Sequence, residues 1–453
     1  MDLLALSRDL IAANTVSQVG TAAAVNILRP LYEQAGLRVV VQDAPGAPEQ
    51  QNLLGTYPGA DSAGLLLVTH LDTVDAGPFE LWTETDGNPY HLTQAGDRLY
   101  GLGAADTKLD ALCKLAAARE FKSRSLRRSL QLLGTFEEEV GAKGARHFVA
   151  DPSFTARFVA CSEPSELTII RAHKGYAVVR VELEAPTPAD ICGPLERVLF
   201  EGKSAHSSTP KLGVNAIEKA LEQMGKEPFV SLEGGTVANK VPARSEVVRQ
   251  QGKGSRGGGQ VVAGSLSSLG GKDASPLGLL ARRAFDLWRD LALSLKPETN
   301  PAFEPDRAVV NWGVARIEGG SASLTFDARL LPGHDPAQLT DSFTRAVTEL
   351  ARSAGGRASV LVDRGNPAME LKEPSALLSA ARDACRELGL DDVPKAKPTN
   401  TEAGVFAAAG AEAIVFGPGR STGNAHCANE HNLYSQVLKA IEFYRALIGR
   451  LCA

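Results

Sequence analysis

The stretch LLLVTHLDTVD, residues 65–75, decides how this chain can fold. It begins with Leu, Leu, Leu and Val, an unbroken apolar run that is typical of a strand buried on both faces. His70 and Asp72 follow at the carboxyl end of that strand, and side chains two positions apart on a strand point the same way. The segment predicts an imidazole that binds a metal ion and a carboxylate that orients its ring. A polar turn after a core strand is the simpler alternative.

The composition is that of a globular protein. The chain has 453 residues, of which 43% are hydrophobic and 22% charged, and this length suffices for two or three domains. A net charge of −5 argues against a nucleic-acid-binding surface, and no apolar run approaches a membrane span. The N-terminal segment lacks the basic region of a signal peptide. The cysteines are irregularly spaced without a CxxC pair, so neither a disulfide framework nor a thiolate zinc site is expected. We therefore expect a cytoplasmic protein.

Acidic side chains follow two further predicted strands. Residues 126–136 predict a buried strand, and a run of three glutamates that includes Glu138 and Glu139 comes directly after it. Residues 158–160 predict another strand, which leads to Glu163. Carboxylates crowded at such a place repel one another unless a cation or a shared proton compensates. The pattern therefore favours a cation at these strand ends.

Two glycine-containing loops add Asp106 and His426. Asp106 follows YGLGAA at the mouth of a predicted helix, where an acid taken alone is more often a helix cap. His426 follows a short apolar strand and a GPG loop. Ligands of open α/β sheets bind at the carboxyl ends of the strands. Two imidazoles and several carboxylates without a thiolate suit Zn²⁺ or a related divalent ion. Because one tetrahedral ion cannot use them all, the set predicts two ions bridged by a shared aspartate.

These segments resemble those of the M20 family of zinc-dependent peptidases and deacylases, in the family's order. The matching segments are VTHLDTV, YGLGAADTK, EEEVGAKGA, SEPS and NAHCANEHN. The resemblance implies that Glu138 is the general base and that Asp72 orients a metal-binding histidine. The ligands it implies are His70 and Glu163 on one ion, Glu139 and His426 on the other, and Asp106 between them. Zn²⁺ is the expected metal, with Co²⁺ or Mn²⁺ as alternatives.

The resemblance extends to an inserted lid or dimerisation domain. GKSAHSSTPKLGVNAIEKAL, residues 202–221, resembles the start of that domain and implies that His206 stabilises the oxyanion. SLTFDARLLPG, residues 323–333, implies that Arg329 holds a substrate carboxylate. Either Asn239 or Asn311 is expected to contact substrate, and the sequence leaves that choice open.

The segment FGPG, residues 416–419, resembles the family's binding loop beside the last metal ligand. It implies that the backbone of Gly417 and Gly419 completes the substrate pocket. The helix after YGLGAAD departs from the family pattern, since Asp110 stands where a second glycine is usual.

The motif positions predict an α/β protein of two domains. A mixed-sheet, di-metal catalytic domain is expected from residues 1–174 and 369–453. A smaller α+β lid or dimerisation domain is expected from residues 175–368, with an insertion near 250–305. The Gly/Ser-rich tract at residues 252–271 is interpreted as a flexible linker, with a substrate-gating loop as the alternative.

The predicted function is metal-dependent hydrolysis of an amide bond in a small substrate that carries a carboxylate. An N-acyl-amino acid deacylase is the first expectation, and a dipeptidase or carboxypeptidase of the same family is the alternative. A non-catalytic metal-binding homologue is less expected, because neither a ligand nor the base is missing. A cysteine hydrolase would use Cys427, but neighbours in sequence such as Cys427 and His426 rarely face each other. A homodimer without nucleic-acid or membrane partners is expected.

Overall fold

A computed structural model describes residues 1–152, 154–185, 194–224, 229–251, 260–266, 276–294 and 299–453. These residues form two compact units. The first unit comprises Met1–His173 and Met369–Ala453, and the second unit is Lys174–Ala368.

The helices and strands of both units are numbered in chain order. The helices are α1 (Leu3–Ala12), α2 (Ala22–Ala35), α3 (Lys108–Arg119), α4 (Lys143–Val149), α5 (Ala216–Met224), α6 (Pro276–Ser294), α7 (Pro336–Ser353), α8 (Ala376–Glu387), α9 (Ala403–Ala408) and α10 (Tyr434–Leu451). The strands are β1 (Arg38–Ala44), β2 (Ala47–Tyr57), β3 (Gly59–His70), β4 (Thr93–Ala95), β5 (Arg98–Tyr100), β6 (Leu126–Thr135), β7 (Phe158–Cys161), β8 (Ile170–His173), β9 (Gly175–Glu184), β10 (Leu195–Glu201), β11 (Phe229–Gly234), β12 (Arg244–Gln250), β13 (Gln260–Leu266), β14 (Val309–Glu318), β15 (Ser321–Leu330), β16 (Arg357–Asn366), β17 (Met369–Glu370), β18 (Lys395–Lys397), β19 (Glu412–Val415) and β20 (His431–Leu433).

The first unit is built on a mixed sheet with the order β1-β2-β6-β3-β7-β19-β8-β17, and β18 pairs with β8. Strands β6, β3, β7 and β19 are parallel neighbours, whereas β1, β2 and β17 join through antiparallel pairs. The carboxyl ends of the parallel strands consequently meet at one edge of the sheet, as the sequence predicted.

The decisive strand β3 is buried on both faces. Leu65 and Leu67 belong to one apolar cluster, and Leu66 and Val68 belong to another. Alternate residues of a strand point to opposite faces, so the two clusters cover the two sides of the sheet. This confirms the interpretation of the apolar run as a doubly covered α/β strand.

The second unit is an antiparallel sheet with the order β13-β10-β12-β11-β14-β15-β9-β16. Its apolar core includes Trp288 on α6 and Trp312 and Phe326 on the sheet, all fully buried. The rings of Trp312 and Phe326 meet edge to face with centroids 5.4 Å apart, a favoured aromatic arrangement.

The linker interpretation of the Gly/Ser-rich tract is wrong for the part that the structure describes. Residues 260–266 form strand β13, which pairs antiparallel with β10. Backbone pairing with β10 stabilises this segment as a strand, although its composition is typical of a linker. Residues 252–259 and 267–271 of the tract lie outside the described residues.

A small sheet with the order β20-β5-β4 lies in the first unit. Its β20–β5 pair brings the segment just after His426 against the strand that precedes the Gly101 loop. Among the described helices, none is long and apolar enough to cross a membrane. The cysteines that the structure describes are free.

Candidate metal centre

The predicted ligands converge at the carboxyl edge of the parallel strands. His70 ends β3, Glu138 and Glu139 follow β6, and Glu163 follows β7. Ligand atoms of His70, Glu138 and Glu163 all lie within 4.8 Å of one another, and so do those of His70, Asp106 and Glu139. The structure therefore brings residues from distant parts of the chain into one cluster.

Asp106 connects the two histidines. Its Oδ1 lies 3.0 Å from Nε2 of His70, and its Oδ2 lies 3.3 Å from Nε2 of His426. The same His426 nitrogen lies 3.0 Å from Oε1 of Glu139. One carboxylate thus faces two imidazoles with its two oxygens, which is the geometry that a bridging ligand requires.

Asp72 lies beside the His70 ring, which the sequence predicted it to orient. Nδ1 of His70 lies 3.1 Å from the backbone carbonyl oxygen of Asp72 and 3.7 Å from its Oδ1. The closer partner is therefore the carbonyl, which favours the tautomer with a proton on Nδ1 and leaves Nε2 for a ligand role.

The Asp72 side chain also holds the segment that carries the predicted base. Its Oδ1 accepts a hydrogen bond from the Glu138 backbone N–H at 3.0 Å, and its Oδ2 accepts from the Glu139 N–H at 3.2 Å. The Ser17 hydroxyl donates to Oδ2 at 2.8 Å. Because Asp72 is fully buried, these donors compensate the burial of its charge. Asp72 thus fixes the start of the EEEVG segment relative to β3.

Two further side chains support the cluster, and sequence reasoning missed both roles. Glu430 accepts hydrogen bonds from the backbone N–H groups of Ala105 at 2.8 Å and Asp106 at 2.9 Å. The ammonium of Lys397 lies 3.0 Å from Oε2 of Glu163. Glu430 lies in the NAHCANEHN segment, where the sequence assigned it no role, and nothing in the local sequence around Lys397 pointed to the site.

A buried polar network lies beneath the cluster. Lys114 donates to Ser162 and to Thr69, the latter at 3.0 Å, and its ammonium lies 3.3 Å from Asp110. Asp110 also accepts from the Tyr444 hydroxyl at 2.6 Å. Thr69 precedes His70 and Ser162 precedes Glu163, so the network links α3 to two ligand-bearing strands. The departure from glycine at position 110 thereby has a structural explanation.

The crowded charges shift the acid–base properties of the cluster. Burial raises the pKa of Glu138 well above its usual range, and the neighbouring carboxylate of Glu163 raises it further, while His70 lowers it. Burial also raises the pKa of Glu163, an effect that Lys397 opposes. A carboxyl group with a raised pKa holds a proton more readily, which suits a group that accepts and returns one.

For Asp106 and the two histidines, hydrogen bonds outweigh burial in setting the pKa. Burial disfavours charge on Asp106, but hydrogen bonds from His426 and His70 outweigh it and place the pKa of Asp106 well below its usual range. Hydrogen bonds to Asp106 and then Glu139 raise the pKa of His426 to about 12. Burial opposes protonation of His70, yet Asp106 and Asp72 hold its pKa well above the usual value. The cluster of carboxylates therefore strongly favours a positive charge placed between its members.

This donor set fits divalent cations. Imidazole nitrogens and carboxylate oxygens without thiolates are ligands of Zn²⁺ and of Co²⁺ or Mn²⁺. The mutual distances and the demand for positive charge agree with that chemistry, so the residues present can hold such ions.

The predicted residues of the second unit also meet in one corner. Strand-like pairing joins His206 to Lys240, and the Ser207 N–H donates to the Asn239 carbonyl at 3.0 Å. The Ser208 N–H donates to Nδ1 of His206 at 3.1 Å. Nδ1 is therefore an acceptor, and the proton of the neutral ring is on Nε2.

The contacts of the two candidate asparagines differ. The Asn311 side chain is buried and donates to the carbonyls of Ala238 at 2.9 Å and Lys240 at 3.1 Å. Its amide is thus used to hold the loop that carries Asn239. Asn239 is exposed, so of the two alternatives its side chain is the one available to a ligand.

Arg329 lies in the same corner of the second unit and is largely paired. Its Nε lies 3.0 Å from Oδ2 of the fully buried Asp327. Its Nη2 donates to the Ser207 hydroxyl at 3.0 Å, and its guanidinium lies over the ring of Tyr176. The charge of Arg329 is therefore already matched within the second unit.

The backbone N–H groups of Gly417 and Gly419, in the predicted binding loop, donate to side chains of the first unit. The Gly417 N–H donates to Ser165 at 3.0 Å, and the Gly419 N–H donates to Gln436 at 2.8 Å. Both donors are engaged inside the protein. A side chain at Gly417 would meet the Glu163 carbonyl oxygen at 2.6 Å, so this glycine is needed for close packing beside a predicted ligand.

Comparison with known proteins identifies the family. The profile of peptidase family M20/M25/M40 matches residues 66–450. The chain belongs to this family. The family prediction is thereby confirmed, and the match includes every predicted ligand.

Curated relatives include acetylornithine deacetylases. The protein of Proteus mirabilis (strain HI4320) is 34% identical over 227 residues, which are 48% of this chain and 52% of that protein. The protein of Edwardsiella ictaluri (strain 93-146) is 34% identical over 223 residues, which are 48% of this chain and 52% of that protein. The chain thus spans about half the length of these relatives.

Solved structures confirm the fold class. The aminoacylhistidine dipeptidase from Vibrio alginolyticus has a TM-score of 0.69 and 15% identity, covering 99% of this chain and 96% of that one. The M20 family metallo-carboxypeptidase Sso-CP2 from Sulfolobus solfataricus has a TM-score of 0.64 and 17% identity, covering 99% of this chain and 98% of that one. A dinuclear metal-binding M20 peptidase from Bacillus subtilis has a TM-score of 0.52 and 12% identity, covering 98% of this chain and 96% of that one. These likenesses show a shared two-domain α/β fold.

Proposed function

We propose that this protein hydrolyses the amide bond of an N-acyl amino acid with the help of two divalent ions. The observation that carries the proposal is the pair of contacts from Asp106 to His70 and to His426. A carboxylate placed between two imidazoles, each with a further carboxylate nearby, suits a two-ion centre. Membership in a peptidase family supports a hydrolytic reaction, and the acetylornithine deacetylases among the relatives support the deacylase form.

The proposed ligand sets follow the sequence prediction. His70 and Glu163 would hold one ion, Glu139 and His426 would hold the other, and Asp106 would serve both. When bound, the ions supply Lewis acidity and lower the pKa of a water molecule towards neutrality. Zn²⁺ is the proposed metal, and Co²⁺ or Mn²⁺ has the same ligand preferences among these groups.

Glu138 is the proposed general base. Its carboxylate takes a proton from the attacking water and returns it to the leaving amine. Asp72 keeps this glutamate in place by accepting the backbone N–H groups of Glu138 and Glu139.

In the second unit, His206 is the proposed oxyanion donor, because its neutral tautomer presents an N–H at Nε2. Asn239 is proposed as a substrate contact in preference to Asn311. A homodimer and a cytoplasmic location complete the proposal. They rest on the family resemblance and on the composition of the chain.

A hydrolysis panel tests the proposed function. Purified protein is assayed with N-acetyl and N-succinyl amino acids and with dipeptides, before chelation, after chelation and after each metal is returned. We expect hydrolysis of the acyl amino acids that is lost on chelation and restored by a divalent ion. Faster hydrolysis of dipeptides would favour the peptidase alternative, and hydrolysis that survives full removal of metal would contradict the two-ion mechanism.

A further inference from the structure

The proposed substrate carries a carboxylate, yet the edge of the sheet where the ligands meet is strongly acidic. Glu138, Glu139, Glu163 and Asp106 are clustered there. Two divalent ions balance four carboxylates and leave no excess positive charge for an acidic substrate. Recognition of the substrate anion therefore needs a further cation near this edge.

Lys397 supplies such a cation. It is the last residue of β18, which pairs parallel with β8, so its side chain begins at the carboxyl end of a strand of the first-unit sheet. Its ammonium lies 3.0 Å from Oε2 of Glu163, and the side chain is 17% exposed. Lys397 is consequently placed at the edge of the cluster and is still reachable from solvent.

The ammonium has donors to spare. A lysine ammonium carries three N–H donors, and among the described residues Glu163 is its hydrogen-bond acceptor. Two donors therefore remain for a ligand. The Glu163 contact fixes the direction of the long side chain, which reduces the entropy lost when a ligand is bound.

The distances suit an N-acyl amino acid. Ligand atoms of His70, Glu138 and Glu163 lie within 4.8 Å of one another, and the ammonium of Lys397 lies 3.0 Å from a Glu163 oxygen. In an N-acyl amino acid the carboxylate is separated from the scissile amide nitrogen by a single carbon. A substrate whose amide lies beside Glu138 can therefore bring its carboxylate to Lys397.

We propose that Lys397 binds the carboxylate of the substrate and thereby makes the enzyme selective for acidic substrates. This inference rests on the proposed amide hydrolysis at the same site. It assigns Lys397 two roles: one N–H donates to Glu163, and the others donate to the substrate anion.

The experiment compares an N-acetyl amino acid with its neutral carboxamide. Both are assayed with the wild type, Lys397→Gln and Lys397→Arg. The Gln variant keeps an N–H donor for Glu163 but removes the charge, and the Arg variant keeps the charge. Lys395→Met is the matched control, because Lys395 lies on the same short strand and pairs with Asp391 at 3.1 Å. Bound metal and the thermal midpoint are measured for every variant.

Loss of a charge-assisted hydrogen bond predicts a decrease of about 10- to 100-fold in kcat/KM for the acid with Lys397→Gln. The decrease is expected mainly in KM, with less than about 3-fold change for the carboxamide. Lys397→Arg should keep most of the preference for the acid, and Lys395→Met should match the wild type. If the carboxamide is hydrolysed too slowly to measure, the product amino acid and its amide are compared as inhibitors. The ratio of their inhibition constants then reports the preference for the carboxylate.

Equal losses on the acid and the carboxamide would mean that Lys397 only positions Glu163, and would overturn the inference. An unchanged preference for the acid in Lys397→Gln would overturn it as well. Inactivity of the metal-replete wild type on the whole panel would overturn the proposed function and this inference together, whereas an active wild type isolates the failure to Lys397.

Discussion

Replacing Asp72 with asparagine removes the acceptor that holds the backbone of the proposed base. One Asp72 oxygen accepts the Glu138 N–H at 3.0 Å, and the other accepts the Glu139 N–H at 3.2 Å and the Ser17 hydroxyl at 2.8 Å. Asparagine has a single side-chain oxygen. Whichever way its amide turns, an NH₂ group faces one of the two backbone N–H groups, while the Ser17 hydroxyl can rotate to accept.

The expected loss of stability in Asp72→Asn follows from the number of hydrogen bonds that are lost. One hydrogen bond to a charged acceptor is lost, which corresponds to about 1.5–3 kcal/mol in the free energy of unfolding. The effect is not screened by solvent, because Asp72 is fully buried. Displacement of Glu138 and Glu139 should also reduce metal affinity or activity by about 10- to 100-fold, as is usual for residues that orient metal ligands.

The assay is urea unfolding of the metal-free protein, which separates folding from metal binding, followed by kcat/KM after metal is restored. Asp75→Asn is the matched control, since Asp75 is exposed and accepts a local hydrogen bond from the Gly77 N–H. If Asp72→Asn unfolds at the wild-type urea midpoint and keeps activity within about 2-fold, its carboxylate does not hold this segment and the reasoning fails.

Three further predictions concern other groups of the first unit. Glu138→Gln should retain both ions but lose about 10²–10⁴-fold in kcat, the usual contribution of a general base, and activity within a few-fold of wild type would refute that role. Lys114→Met should lower the free energy of unfolding by about 3–5 kcal/mol, because it leaves the buried Asp110 carboxylate without its neighbouring cation, whereas the exposed Lys122→Met should cost less than about 0.5 kcal/mol in the same urea titration. Burial raises the pKa of Glu402 from 4.5 to about 7, so the folded state holds this proton more tightly than the unfolded state, and stability should fall as pH rises from about 4.5 to about 7. In the metal-free Glu402→Gln variant, this fall in the free energy of unfolding should be smaller by on the order of 3 kcal/mol. A pH profile identical to that of the wild type would contradict the raised pKa of Glu402.

The meeting of the ligands could be predicted because it depends on strand ends. His70 and Glu163 each follow an apolar run that is recognisable locally, and parallel pairing brings such ends to one edge of the sheet. The fold class followed from the same runs. Neither inference needed any knowledge of side-chain contacts.

The supporting contacts could not be predicted, because they depend on register and on pairs far apart in the chain. Lys397 reaches Glu163 across 234 positions, through the pairing of the three-residue strand β18 with β8. Asp110 and Lys114 would be solvent-exposed on an ordinary amphipathic helix. Here α3 is buried nearly all round, so these two charged residues pair with each other and with Ser162 and Tyr444.

The glycine loop shows a different limit. The sequence predicted that its backbone lines a substrate pocket, and at Gly417 the group that comes close is the Glu163 backbone. The sequence shows that a side chain is absent and does not show which group occupies the space. Asp72 was similar, because the pattern identified the residue while its hydrogen-bond partners became visible only with the loop after β6.

The number of bound ions tests the central claim most directly. Wild-type protein, Glu163→Gln and Glu139→Gln are each dialysed against a small excess of Zn²⁺ and then against metal-free buffer. The number of zinc ions per chain is then measured for each. We expect two ions in the wild type and one in each variant, because each variant removes a ligand from a different side of Asp106. A wild type that binds a single ion, or variants that both keep two, would contradict a two-ion centre bridged by Asp106.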